Sequence, residues 1–270
     1  MTERARRAPG DRERARRPGP AKPGPPAPRS APSPWPSSPP SRGGTSRHAA
    51  AEAHLRRVDP PLGRVIERVG PCALRPTIGP RVRPDAPWAA LARAIVFQQL
   101  SGRAAGTIFG RVVALWNADE MPAAEAVLAT PEARLRSAGL SAAKAAAIRD
   151  LAEKTASGIV PGSREIVRLD DEEILARLTT VRGVGPWTVQ MLLMFHLGRP
   201  DVLPSSDLGV LQGFARVRRL REKPAPRDLE RWAERWRPWR TVASWYLWRA
   251  LELDREPRRP AQRSGARATR

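Results

Sequence analysis

The chain has 270 residues and carries 48 lysines and arginines against 27 aspartates and glutamates, a formal net charge of +21. Its single cysteine, Cys72, excludes an internal disulfide, an iron–sulfur cluster and a cysteine-ligated zinc site, and with three histidines we expect no histidine-rich metal centre. No apolar run reaches the roughly 18 residues of a membrane span. The excess positive charge instead indicates a polyanionic partner, with nucleic acid the first candidate. The single cysteine fits a reducing, cytoplasmic context.

More than half of this charge lies at the two ends of the chain. Residues 1–50 hold 11 lysines and arginines against three acids, a net of 11 − 3 = +8, together with 12 of the 30 prolines. Residues 256–270 hold five arginines against one glutamate, a net of 5 − 1 = +4. Because neither segment has apolar periodicity, we predict two disordered basic tails around one folded domain at residues 51–255. Two interpretations of the tails stay open: they increase solubility, or they attract phosphate in a way that weakens with salt.

The middle of the chain has the apolar spacing of α-helices. In residues 84–116 apolar side chains recur every three or four positions, and Ser101–Gly102 predicts a break between two helices. Shorter helical segments follow at residues 121–130, 131–139, 141–158 and 170–181. The last of these has Asp170 or Asp171 as its N-cap. No stretch alternates as a strand would, so we predict an all-α domain of about ten short helices.

The most informative segment is LTTVRGVGPWTVQMLLMF, residues 178–195. A helix ends ahead of Gly183 and Gly185, and these glycines permit positive φ and leave the backbone open to a partner. Val184, between them, is expected to plug the space between two helices. Pro186 suits the first turn of the second helix. The exposed N–H groups of such a turn form a ready phosphate site, so the pattern predicts a helix-hairpin-helix.

A second signal follows in DVLPSSDLGV, residues 201–210. Pro204 and two serines predict a loop, after which a helix runs through Val217. Asp207 falls in the first turn of that helix, where the helix dipole favours a carboxylate. Taken alone, Asp207 is most simply a helix cap, and a catalytic role depends on the hairpin that precedes it.

Four motifs together resemble the helix-hairpin-helix (HhH-GPD) DNA glycosylases, in particular the DNA-3-methyladenine glycosylase II branch. They are IVFQQLS at residues 95–101, the hairpin, Pro-x-x-Asp-Leu-Gly at residues 204–209 and WRPWRTVASWYLWR at residues 236–249. The resemblance covers roughly residues 55–252. It implies a fold of two helical subdomains flanking a cleft and an activity in base excision repair.

The resemblance also implies roles for individual residues. Asp207 matches the catalytic aspartate. The pocket for the flipped base would be lined by Trp187, Trp248 and Met191. Contacts to the DNA, including a wedge at the second glutamine, would come from Gly183, Val184, Gly185, Thr188, Gln98 and Gln99. A monovalent cation, Na+ or K+, would be held by the backbone carbonyls of Thr179, Val181 and Gly183, and no other cofactor is implied.

Three departures from the wider superfamily narrow the expected chemistry. Lyase-competent relatives carry a lysine where this chain has Trp187, so no amine is available for a Schiff base and we predict a monofunctional enzyme. One cysteine excludes the iron–sulfur loop of other branches. Only about forty residues separate the N-terminal tail from Trp88, too few for an additional sheet domain.

The expected reaction is hydrolysis of the N-glycosidic bond of an alkylated purine such as 3-methyladenine in damaged double-stranded DNA. We expect a monomer in the cytoplasm, associated with the nucleoid. Two alternatives stay open: an enzyme of the same fold for another lesion, such as uracil or an oxidised purine, and a non-catalytic DNA-binding module. Asp207 disfavours the module because a carboxylate repels phosphate. The absence of a hairpin lysine disfavours the oxidised-purine type.

The chain has nine tryptophans, and five of them lie between Trp232 and Trp248. Their helical spacing predicts that most are core residues. Trp187 and Trp248 are the two that we expect in the pocket, because an indole face attracts a cationic base by about 0.5–2 kcal/mol.

Overall fold

The computed structural model describes residues 48–75 and 86–253. Within these ranges the chain forms thirteen α-helices and no β-strand, which confirms the all-α prediction. These are more helices than the ten or so that we expected. One that the sequence did not indicate is Ser163–Ile166, because four residues are too few to show a helical period.

The helices are, in chain order, α1 (Ala49–Val58), α2 (Pro60–Val69), α3 (Ala86–Phe97), α4 (Gly102–Ala114), α5 (Ala124–Leu128), α6 (Glu132–Ser137), α7 (Ala142–Ala156), α8 (Ser163–Ile166), α9 (Asp171–Leu178), α10 (Pro186–Met191), α11 (Leu208–Arg218), α12 (Pro226–Ala233) and α13 (Arg240–Glu252). Helix α10 continues as a π-helical segment, Leu192–Leu197, and α12 continues as a 3₁₀ turn, Glu234–Trp236. Neither continuation was expected from the sequence.

Polar side chains fix where the longer helices begin. Ser101 caps α4 by accepting the N–H of Ala104, which confirms the predicted break. Asp170, rather than Asp171, caps α9. Asp59 caps α2 in the same way, with proline at the following position, where its missing N–H costs nothing.

The helices pack as two groups. Helices α1 and α2 pack against α11, α13 and the 3₁₀ turn that follows α12. Helices α4, α5 and α6 pack on α3 or α7, α9 packs on α10, and the π-helical segment that continues α10 packs on α3. The first and last helices of the described chain therefore share one group, and the middle of the chain forms the other. The hairpin of α9 and α10 belongs to the middle group, and its second helix approaches the start of α11.

Helices α11 and α13 cross very closely. A Cβ atom built on Gly213 of α11 would overlap the carbonyl oxygen of Leu247 in α13, so any larger residue would force the helices apart. This close crossing places Trp248 of α13 beside the first turn of α11.

No helix among the described residues has the length and apolar character needed to cross a membrane. The predicted tails lie outside the described residues except at residues 48–50, and α1 begins at Ala49, two residues ahead of the predicted boundary.

Candidate active site

Asp207 is the N-cap of α11, one position ahead of the predicted first turn. Its Oδ1 atom accepts hydrogen bonds from the backbone N–H of Val210 at 2.8 Å and from the indole N–H of Trp248 at 2.8 Å. Its Oδ2 atom accepts from the indole N–H of Trp187 at 2.7 Å. The fold therefore brings the predicted catalytic residue and both predicted pocket tryptophans into direct contact.

The electrostatic setting of Asp207 is unusual for a half-buried carboxylate. No lysine, arginine or histidine of the described chain forms an ion pair with it. Its three partners can only donate, and this matches an ionised carboxylate, which accepts at about four lone-pair positions. Three of these positions are occupied, and the fourth has no donor among the described residues.

Gly209 makes the contact between Trp248 and Asp207 possible. A Cβ atom built on Gly209 would lie 2.7 Å from Cδ1 and 2.9 Å from Nε1 of Trp248, and 3.1 Å from Oδ1 of Asp207. The indole of Trp248 also stacks on Phe195, with ring centroids 5.8 Å apart and planes inclined by 24°. A side chain at position 209 would have to displace the indole.

The loop that leads to Asp207 is tied to the start of α13. Asp201 accepts from Nε of Arg240 at 2.8 Å and forms an ion pair with that guanidinium. The hydroxyl of Thr241 donates to the carbonyl of Arg199 at 2.6 Å and accepts the N–H of Val202 at 3.0 Å. The helix that carries Trp248 thus also fixes the loop that carries Asp207.

The hairpin turn follows the sequence prediction with one correction. Gly183 has φ +78°, as expected, and Val184 is the predicted plug, with 4% of its surface exposed. Pro186 is the first residue of α10. Gly185 was expected to permit positive φ, but it has φ −100° and ψ 173°, which any residue can adopt. A Cβ atom at Gly185 would meet nothing within 4 Å. Glycine at this position therefore leaves the backbone uncovered, and it is not required by the backbone conformation.

The remaining predicted site residues have different environments. Met191 and Thr188 are buried in the hairpin helix, with 1% and 4% of their surfaces exposed. Gln98 donates from its side-chain amide to the carbonyl of Gly183 at 2.9 Å, so it joins the end of α3 to the hairpin. Gln99 is exposed and has φ +58°, which presents it at the tip of a tight turn.

Sequence reasoning missed a second support of the hairpin, which comes from α7. Asp150 accepts the backbone N–H of Arg182 at 2.6 Å, and Lys154 donates to the carbonyl of Thr180 at 2.7 Å. Lys154 also pairs with Asp150. Burial raises the pKa of Asp150, but the hydrogen bonds from Lys154 and Arg182 outweigh it, so the pKa lies below its usual value.

The same helix also fixes the Gln98–Gln99 turn. The ammonium group of Lys144 donates to the carbonyls of Val96 at 2.7 Å and Gln98 at 2.8 Å, and burial lowers its pKa. In the sequence α7 shows only a helical period. Nothing in that period indicates that its polar residues reach two separate turns.

The carbonyls predicted to hold a monovalent cation are partly used within the protein. The Val181 carbonyl accepts the N–H of Val184 at 3.0 Å, and the Gly183 carbonyl accepts from Gln98. Since each carbonyl oxygen has a second lone pair, the set still fits a cation, which stays a prediction. No cluster of three or more histidine, cysteine, aspartate or glutamate side chains among the described residues could hold a metal ion.

Comparison with known proteins gives a consistent set of similarities. Residues 92–238 match the family described as HhH-GPD superfamily base excision DNA repair protein. The chain is 36% identical over 203 residues to DNA-3-methyladenine glycosylase 1 of Schizosaccharomyces pombe, across 75% of this chain and 87% of that protein.

Two solved structures of DNA-3-methyladenine glycosylases are similar to this chain in sequence and in fold. One is the Schizosaccharomyces pombe 3-methyladenine DNA glycosylase Mag1 in complex with abasic DNA, with 36% identity, a TM-score of 0.66 and coverage of 77% of this chain and 99% of that chain. The other is a DNA-3-methyladenine glycosidase from Bacillus halodurans, with 32% identity, a TM-score of 0.69 and coverage of 78% and 94%.

Proposed function

Since the chain belongs to the HhH-GPD superfamily of base excision DNA repair proteins, we propose that it is a monofunctional DNA glycosylase that releases alkylated purines, such as 3-methyladenine, from double-stranded DNA. The family resemblance drawn from the four sequence motifs is confirmed by this match. The single observation that carries the proposal is the carboxylate of Asp207, which is held by two indole N–H groups and has no cationic partner among the described residues.

Asp207 suits the charge that develops during glycosidic cleavage. Departure of the base leaves positive charge on the deoxyribose, and a nearby carboxylate stabilises that oxocarbenium-like state or orients the attacking water. The three donors fix the orientation of the carboxylate before the reaction begins. Its remaining lone-pair position is the one available to the sugar or to water.

The two tryptophans contribute ring faces rather than hydrogen bonds to the base. Both indole N–H groups are already donated to Asp207, so neither Trp187 nor Trp248 can read the edge of a base with that group. What they offer is stacking, which favours a cationic alkylated purine by about 0.5–2 kcal/mol. Such a base is also a good leaving group, so the reaction needs no strong general acid.

The hairpin supports the DNA-binding part of the proposal. A Cβ atom at Gly185 would meet nothing within 4 Å, and the first N–H groups of the adjoining α10 would be the donors to a DNA phosphate. Trp187 takes the place at which a Schiff-base lysine would be needed, so we expect no strand cleavage. The carbonyls of Thr179, Val181 and Gly183 would hold a monovalent cation, which would add positive charge beside the DNA backbone.

The experiment that tests the proposal is incubation of the protein with methylated duplex DNA, followed by chromatographic identification of the released bases. We expect release of 3-methyladenine and intact strands until the abasic sites are cleaved by alkali. Assays in parallel on duplexes that contain uracil or an oxidised purine test the alternative that the enzyme acts on another lesion. Tight DNA binding without release of any base would contradict the proposal and favour the non-catalytic module.

The remaining expectations are proposed on the same footing. A base-flipping enzyme reads one lesion without two-fold symmetry, so we expect a monomer by sedimentation. A location in the cytoplasm, on the nucleoid, stays a prediction.

A further inference from the structure

The turn that follows α3 holds an exposed glutamine in a strained backbone conformation. Gln99 has φ +58°, and the residue is exposed. Glutamine has neither the freedom of glycine nor the short polar side chain with which asparagine tolerates this region, so the conformation costs free energy. Such strain persists only where neighbouring groups hold it, and it is frequent at functional sites.

Lys144 of α7 is one of the groups that hold this turn. Its ammonium group donates to the carbonyls of Val96 at 2.7 Å and Gln98 at 2.8 Å. In a continued helix the N–H of Leu100 would bond to Val96, but it donates instead to the carbonyl of Phe97 at 3.4 Å. Lys144 therefore replaces the missing helical donor, and it also fixes the peptide bond directly ahead of the strained residue.

Capping of α3 accounts for only one of the two bonds from Lys144. The last turn of α3 contains no basic residue, so a positive group at Val96 stabilises the end of the helix. The carbonyl of Gln98 lies beyond that helix, and the bond to it holds the turn. Lys144 is half-buried and forms no ion pair among the described residues, so its ammonium group is committed to these two carbonyls.

The same turn is joined to the hairpin by the side chain of Gln98. Its amide donates to the carbonyl of Gly183 at 2.9 Å, so this group is used inside the protein. Consecutive Cα atoms are 3.8 Å apart, and Gln99 therefore lies one residue from this contact. The exposed glutamine lies beside the turn to which the proposed function assigns a DNA phosphate.

One face of α7 supports both turns. Lys144, Ala147, Asp150 and Lys154 follow one another at spacings of three or four residues, which places them on the same face of the helix. A Cβ atom built on Gly183 would lie 3.4 Å from that of Ala147, and the two residues that follow bind the hairpin backbone. The helix thus fixes the position of the glutamine turn relative to the hairpin.

We propose that Lys144 and Gln98 are positioning residues for base extrusion. They hold the peptide bond ahead of Gln99 so that its side chain enters the space that the flipped base leaves, while the hairpin binds the adjoining phosphate. This role rests on the proposed glycosylase function. Since neither group needs to touch the DNA, their removal should affect extrusion more than the affinity for DNA.

The test measures insertion of Gln99 separately from base release. The probe is a duplex with 2-aminopurine beside a tetrahydrofuran abasic analogue, because the fluorescence of 2-aminopurine depends on its stacking. The analogue has no base to release, so the probe reports insertion whether or not the protein is a glycosylase. We expect the full chain to change the fluorescence on binding, and Gln99→Ala to bind with a clearly smaller change.

Lys144→Met removes the ammonium group and keeps most of the side-chain volume. Because hydrogen bonds from a charged donor are among the stronger ones, the fluorescence change at saturating protein and the single-turnover release of 3-methyladenine should each fall by about tenfold. The affinity for the duplex should stay within about threefold of the wild type. Lys223→Met is the matched control, since it removes the same charge from an exposed loop residue outside these turns and should behave as the wild type does.

Two further variants separate positioning from folding. Gln98→Leu removes only the bond to Gly183, so it should reduce insertion without changing thermal unfolding. Lys154→Met instead removes the bonds to Thr180 and Asp150 at the hairpin. It should weaken DNA binding by about threefold to tenfold and leave insertion at saturating protein unchanged. Thermal unfolding of every variant verifies folding.

Four results would overturn the proposal. They are no fluorescence change when the wild type binds, wild-type insertion by Lys144→Met, wild-type insertion by Gln98→Leu, and a loss of insertion by Lys144→Met that only matches a loss of folded protein. If the wild type inserts, the two variants do not, and none of the three releases a base, the positioning role is supported and the glycosylase activity is contradicted.

Discussion

Asp59 and Asp207 are two carboxylates with nearly the same local chemistry and different surroundings. Each caps a helix and accepts a backbone N–H three residues ahead. Each also accepts two indole N–H groups: Asp59 from Trp236 at 2.9 Å and, more weakly, from Trp232 at 3.5 Å, and Asp207 from Trp187 and Trp248.

The difference between them is the cation. Asp59 is 1% exposed and is paired with Arg218, whose guanidinium lies over the ring of Trp232 at 4.1 Å from its centroid. Asp207 is half-buried and has no such partner among the described residues. The negative charge of Asp59 is therefore neutralised inside the protein, whereas that of Asp207 is held in place by hydrogen bonds alone. In the proposed mechanism, the charge of Asp207 stabilises the positive charge that develops on the substrate.

The comparison teaches that a hydrogen-bonded aspartate beside tryptophan is not sufficient evidence of a catalytic site. We infer that orientation by indole N–H groups serves stability at Asp59, within one group of helices, and positions the proposed catalytic carboxylate at Asp207, where the two groups meet. Six variants, four of them arranged as two matched pairs, separate these two uses.

The largest expected effect on stability is that of Asp59→Ala. It leaves Arg218 unpaired with 16% of its side chain exposed, and it removes the cap of α2. Loss of one partner of a buried ion pair should lower the free energy of unfolding by about 3–5 kcal/mol, measured by chemical denaturation. The rate of base release per folded molecule should not change, and a variant as stable as the wild type would refute the structural role of Asp59.

The tryptophan donors give the next comparison. Trp248→Phe keeps a ring against Phe195 but removes one donor to Asp207. A hydrogen bond to a charged group contributes about 1.5–3 kcal/mol, so base release should slow by about tenfold to a hundredfold with little change in stability.

Trp236→Phe is the matched control for that change. It removes the corresponding donor to Asp59 in the buried pair, so the free energy of unfolding should fall by about 1.5–3 kcal/mol. Single-turnover rates of the folded protein should equal those of the wild type. If both variants lost stability and both kept the wild-type rate of base release, Trp248 would have no positioning role.

A pair of glycines in α11 gives a smaller and sharper test. Gly209→Ala forces the Trp248 indole away from Asp207, so base release should fall by about tenfold, while the helix gains up to about 1 kcal/mol from alanine. Gly213→Ala instead meets the backbone of Leu247 and should cost about 1–3 kcal/mol of stability. Calorimetry measures the stability of both variants, and single-turnover assays measure their rates of base release. If the two variants changed stability and rate to the same extent, the prediction would be wrong.

Much of the site was predictable because its residues lie in motifs with strong local rules. The hairpin needs a positive φ at Gly183 and an apolar plug at Val184, and the structure has both. The sequence motif cannot separate a glycine required by φ from one required by an open surface, and for that reason the expectation for Gly185 was wrong.

The rest of the site depends on long-range geometry. Trp187 and Trp248 lie 20 residues before and 41 residues after Asp207, and no spacing rule indicates that both indoles direct their N–H groups at it. Asp59 was missed for the same reason. Asp-Pro-Pro signals a helix cap, but the convergence of Trp232, Trp236 and Arg218 follows only from the packing of α11 and α12 against α2.

The central claim is that Asp207 supplies the charge that drives base release. The most direct measurement is the single-turnover rate of 3-methyladenine release by Asp207→Asn at saturating enzyme, with the affinity for the same duplex measured in parallel. Asparagine caps a helix as well as aspartate does, so folding should be preserved. The account predicts a rate about 10²–10³-fold lower with DNA binding retained. A variant that binds DNA and releases the base at the wild-type rate would contradict it.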